Sequence, residues 1–89
     1  MNIPDDQVFA VLARRCVANG EFDALRQRLG FTLRQTAELL ECDSAEVSRW
    51  CRGLNAPKQQ AVPLGRLILG WMMMVDAGAT EADLVPVGV

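Results

Sequence analysis

The chain contains no histidine and no tyrosine. Without histidine it lacks the commonest general base and any Ser/His or Cys/His nucleophile pair. Its three cysteines, Cys16, Cys42 and Cys51, are odd in number and have no C-x-x-C spacing, and no histidine completes a zinc site. They read as reduced, mostly buried small hydrophobes. No phosphate-binding glycine loop or metal-ligand spacing is present either, so neither an enzyme nor a bound cofactor is expected. Long apolar runs are also missing. The longest, Leu67 to Val75, falls well short of the roughly 20 residues a bilayer requires, so no membrane span is expected. Asp5 and Asp6 stand where a secretory leader carries positive charge, and the expected location is the cytoplasm.

Eighty-nine residues supply one hydrophobic core, and residues 1–89 read as a single domain. Apolar residues make up 51% and charged residues 22%, which suits a folded domain rather than a disordered tail. The net charge of -2 is unevenly spread. Between Arg26 and Arg66 lie Arg26, Arg28, Arg34, Arg49, Arg52, Lys58 and Arg66 against Glu38, Glu41, Asp43 and Glu46, a net +3. The flanks hold the compensating acid. A basic centre between acidic ends points to a polyanion met by the middle of the chain.

Hydrophobic periodicity predicts helices throughout and no strands. Residues 4–19 open on Pro4 and two acids, carry Val8, Phe9, Leu12 and Cys16 at helical spacing, and close on Asn19-Gly20. Arg14 and Arg15 fall near the end of this helix, where they favour its dipole. A second helix, from about Glu21 to Leu29, puts Phe22, Leu25 and Leu29 on one side, turns Arg26 and Arg28 away from it, and stops at Gly30. Thr32 caps a third helix to about Leu40, with Leu33, Thr36, Ala37 and Leu40 on one face. Asp43 caps a fourth from Ser44 to about Arg52, with Glu46 placed to close a capping box and Gly53 to end it. Pro57 and Pro63 mark a loop. Leu64, Leu67, Ile68, Trp71, Met72 and Val75 then form the stripe of a fifth helix over 63–77, and Thr80 with Asp83 fits one last turn. The run Trp71-Met72-Met73-Met74-Val75 is too wide for one stripe, which leaves two readings, core alone or core plus a dimer interface. The N-terminal helix likewise fits dimerisation or core packing.

Residues 32–53 read TLRQTAELLECDSAEVSRWCRG, two short helices joined by a three-residue turn. Thr32 takes a cap, Ala37 the small position where the helices cross, and Leu40, Cys42 and Val47 the apolar positions. Ser48-Arg49-Trp50, Arg52-Gly53 and the later Pro57 follow in register. This run resembles the λ repressor-like (Cro/CI, XRE-type) helix-turn-helix family over roughly residues 22 to 70. Three positions depart from the family pattern: Leu33 replaces a frequent glutamine, Glu41 a turn glycine, and Cys51 an acid. Leu33 removes a phosphate-contacting side chain, for which Arg34 or Gln35 is a substitute. Glu41 in a left-handed turn costs roughly 1 kcal/mol relative to glycine.

The resemblance implies an all-α, five-helix domain that binds double-stranded DNA as a homodimer, most simply as a repressor on an inverted repeat. A recognition helix presents its N-terminal and outward residues to base edges, here Ser44, Ala45, Glu46, Ser48 and Arg49, with Arg52 nearer the backbone. Val47 and Trp50 face the core. Arg49 suits guanine, because its planar fork matches the O6 and N7 acceptors. Glu46 has two readings, cytosine acceptor or cap partner of Asp43. The resemblance adds Asn55, with Lys58 beside it, as backbone contacts from the following loop. The amide ends at Thr32 to Gln35 and Asp43 to Glu46 offer further phosphate contacts. A second class of function is a protein-interaction module, an antitoxin or antirepressor of the same shape without strong DNA binding, consistent with the acidic pI, Leu33 and the methionines.

Overall fold

A computed structural model describes residues 5–78, and every regular element among them is an α-helix. The helices are α1 Asp5–Asn19, α2 Glu21–Leu29, α3 Leu33–Leu40, α4 Ser44–Cys51 and α5 Ala61–Asp76. The all-α, five-helix architecture expected from periodicity is therefore present. The turn expected at Thr80 to Asp83 lies outside the described residues. α5 starts two residues earlier than expected, because Pro63 sits in its first turn, where a missing N–H leaves no helical hydrogen bond unmade.

Three helices stop in the same way. After α2, Gly30 adopts φ 80° and donates its N–H to Gln27 O at 3.2 Å, while Phe31 N–H reaches Arg26 O at 3.0 Å. These paired bonds satisfy carbonyls the helix leaves open and turn the chain sharply. Gly53 repeats the geometry after α4 at φ 69°, and Glu41 does so after α3 at φ 54°, as the sole non-glycine residue with positive φ among those described. The left-handed turn expected there is present, strain included.

One buried cluster draws on all five helices, through Ala13, Cys16 and Val17, Phe22 and Leu29, Ala37 and Leu40, Val47 and Trp50, and Leu64, Ile68 and Trp71. The most extensive packing is between α1 and α5. Gly65 allows it: a Cβ there would lie 1.9 Å from the Phe9 carbonyl oxygen. α1 thus belongs to the core. Its inward face runs through Ala13, Cys16 and Val17, and Val8, expected on that face, is half exposed. Val8 precedes Phe9, whose backbone meets Gly65, and one residue of helix rotates it about 100° toward solvent. Arg14 and Arg15 stand a turn short of the α1 terminus, whose last turn holds no basic residue. Instead of serving the dipole, Arg14 donates from Nε to Pro57 O at 3.4 Å and ties the loop before α5 to α1.

Trp71 is buried and stacks with two rings, Phe22 at 5.8 Å and Phe31 at 5.0 Å between centroids. Phe31 lies in the α2–α3 link, which a second device also fixes. Arg26 donates from Nη1 to Phe31 O at 2.7 Å, and from Nε and Nη2 to Asp23 Oδ1 at 3.1 and 2.9 Å. Its side chain is only 17% exposed, so Arg26 does not point away from the fold as the helical pattern suggested.

This clamp gives the protein a pH profile. Burial works to raise the Asp23 carboxyl, but hydrogen bonds from Arg26, Cys51 and Gln27 outweigh it and hold the pKa below its ordinary 3.8. A depressed folded pKa adds stability above the unfolded value that is lost as pH falls through the folded one. Burial, with a carboxylate beside each thiol, pushes Cys16 and Cys51 up from 9.0 to about 11. Raised pKa values add stability below the unfolded value, which is lost as pH climbs from 9 toward 11. Thermal midpoints should therefore be flat between about pH 5 and 8 and fall on both sides. Asp23→Asn should lower the plateau and shrink the drop below pH 4; an unchanged acid limb would remove Asp23 from this role.

Candidate nucleic-acid interface

Two eight-residue helices, α3 and α4, pack on each other across the turn Glu41-Cys42-Asp43. The turn is short because both of its ends are fixed. Glu41 and Cys42 donate back to Glu38 O and Ala37 O, and Asp43 Oδ1 accepts from Ala45 N at 2.8 Å to start α4. Val47 and Trp50 are buried and anchor α4 from one side. On the other side Ser44, Ala45 and Arg52 are exposed, and Glu46, Ser48 and Arg49 are partly so. α4 therefore has the division between inward and outward residues expected from its sequence.

Glu46 does not close a capping box. Its Oε2 accepts from Arg49 Nη2 at 2.6 Å, in an ion pair whose side chains are 37% and 40% exposed. The arginine one turn on offers a charged donor, a stronger partner than the Asp43 amide. The capping box occurs instead on α3. There Thr32 Oγ1 accepts from Gln35 N at 3.0 Å, and Thr32 N donates to Gln35 Oε1 at 2.9 Å. Gln35 thus has its carbonyl engaged, with the Nε2 amide as the part of the side chain that can meet an outside acceptor. Both amide ends proposed for phosphate contact are partly satisfied by their own capping residues, and at α4 the cap is itself an acid.

Asn55 and Lys58 are exposed on the segment after α4 and join Asp43, Glu46, Trp50 and Gln60 around an open groove of about 700 Å3. The sequence placed Glu46, Asn55 and Lys58 in a common site. It did not signal that Gln60 lines the same groove, because the bend at 55–60 brings Gln60 back to the start of α4. Trp50 Nε1 is the buried side-chain polar atom without a hydrogen-bond partner among the described residues.

The basic centre of the chain divides on folding. Arg26 is consumed in its clamp, and Arg66 lies on the α1–α5 seam, 3.3 Å from Asp6 and over the Phe9 ring. Arg34 pairs with Glu38 along the open surface of α3, with its side chain 88% exposed. Arg49 and Arg52 end α4, while Asp43 and Glu46 begin it, so charge changes sign along that helix. No family model, curated protein or solved structure matches this chain.

Proposed function

We propose that the chain binds double-stranded DNA through α4 laid in the major groove, and acts as a transcriptional repressor of the λ repressor-like kind. The observation that carries this reading is α4 itself, a short helix anchored by Val47 and Trp50 whose outer side offers Ser44, Ala45, Ser48, Arg49 and Arg52. Such a helix fits the groove with its first residues on base edges. Thr32, Arg34, Gln35, Asn55 and Lys58 flank it as contacts to the phosphate backbone, which position the protein without reading sequence. A homodimer accounts for the exposed apolar residues of α5, Leu69, Met73 and Met74, which a second copy would cover. Two copies would then meet half-sites about 34–36 Å apart on an inverted repeat.

The test is a selection from a random duplex library, followed by fluorescence titration of the recovered and scrambled duplexes at two salt concentrations. Enrichment of an inverted repeat, bound more tightly than the scramble and weakened by salt, supports the reading. Arg49→Ala should weaken the selected duplex by about 1–3 kcal/mol and relax preference at one base pair per half-site. Undiminished preference there would take base reading away from Arg49.

A protein-interaction module is the second reading, favoured by the acids Asp43 and Glu46 at the start of α4 and by the same apolar α5 residues. It predicts no enriched sequence and no salt-dependent binding of either duplex.

A further inference from the structure

Resting on the DNA-binding reading, we infer that Glu46 is a specificity-determining residue that acts through Arg49, orienting its guanidinium toward a guanine and withholding it from phosphate. The two side chains lie one turn apart on the outer side of α4 and meet at 2.6 Å, with both less than half exposed. A bond this short between charged partners, in a partly desolvated place, restricts a side chain that otherwise samples many rotamers. One N–H of Nη2 is occupied by Glu46. The guanidinium keeps four others, enough for a two-pronged contact with O6 and N7 of one guanine.

The carboxylate also acts against the wrong ligand. An arginine at the end of α4 with no partner would bind any phosphate within reach, and that contact is the same for every sequence. Beside Glu46, and with Asp43 on the same groove, a phosphate meets negative charge as well as positive. Guanine presents neutral acceptors and escapes most of that repulsion. Discrimination then comes from a repulsive element as much as from an attractive one. Lys58, exposed on the same groove, has no ion pair among the described residues and carries the phosphate contact instead.

Glu46→Gln keeps the size of the side chain and removes its charge, and the full-length variant should melt close to wild type by circular dichroism. In the random-duplex selection it should lose preference at the base pair read by Arg49. It should bind scrambled duplex several-fold more tightly, with a log–log salt slope steeper by about 0.9, the signature of one added phosphate contact. Arg49→Lys should lose preference at the same base pair, and the double variant should be no worse there than Arg49→Lys alone, because the two residues act as a unit. A folded Glu46→Gln that keeps both the wild-type preference and the wild-type slope overturns the inference while leaving DNA binding intact. So does a parallel loss of affinity for selected and scrambled duplexes, which would make Glu46 an ordinary contact. A wild-type protein that enriches no sequence and binds neither duplex overturns the DNA-binding reading, and this inference with it.

Discussion

Trp71→Ala should lower the stability of the domain by about 3–5 kcal/mol, the range for truncating a large buried aromatic. Trp71 is 1% exposed and stacks with both Phe22 and Phe31, so the substitution opens a cavity on two sides. Aromatic pairs add about 0.5–1.5 kcal/mol each beyond the area they bury, which places the expected loss toward the upper end. A domain of this size holds roughly 5–10 kcal/mol in total. The thermal midpoint should therefore fall by about 15–30 °C. Trp71→Phe keeps a ring between the two partners and should retain most of the difference. Met73→Ala, two residues on but 64% exposed, should change stability by less than about 0.5 kcal/mol. Equal effects from Trp71→Ala and Met73→Ala would show that the α5 stripe is not what joins α2 and the α2–α3 link to the core.

The helices were legible in the sequence because local signals agreed with one another. Pro4, Asn19-Gly20, Gly30, Thr32, Asp43 and Gly53 punctuate the chain, and apolar spacing of three and four fills the intervals between them. The inward faces of α3 and α4 were legible too, since each is short and carries a narrow apolar set. α1 was harder. Valine, phenylalanine, leucine and alanine surround it, and which of them points inward depends on Gly65, more than fifty residues away. Side-chain pairing was the least legible. Glu46 sits three residues after a capping aspartate and also three before an arginine, and sequence spacing permits both partners. The choice depends on relative strength, and the charged pair formed. Arg26 was hidden for a similar reason: besides Asp23, one turn back, its partner is the Phe31 carbonyl, a backbone atom with no signature in the sequence.

Gly65→Ala and Gly70→Ala should change stability in opposite directions although both lie within α5. Helix propensity alone favours alanine at each site by about 0.8–1 kcal/mol. At Gly70 nothing lies within 4 Å of an added Cβ, so that gain should appear in a urea titration as a higher midpoint with the same slope. At Gly65 the new atom would fall 1.9 Å from Phe9 O and 2.7 Å from Phe9 Cα. These are backbone atoms of a neighbouring helix, and no rotamer change removes them. α1 and α5 must move apart by more than an ångström's worth of overlap, loosening Ala13, Cys16 and Val17 against Leu64 and Ile68. Overpacking of this kind costs about 1–3 kcal/mol or more, which exceeds the propensity gain. Gly65→Ala should thus be destabilised, with its strain concentrated on α1. Because α3 and α4 join the core chiefly through each other and α2, the DNA binding proposed for them should survive at temperatures where the variant remains folded. A Gly65→Ala protein as stable as Gly70→Ala would mean that the two helices do not cross this closely. A folded one that loses DNA binding along with the seam would mean that α1 supports the α4 surface directly.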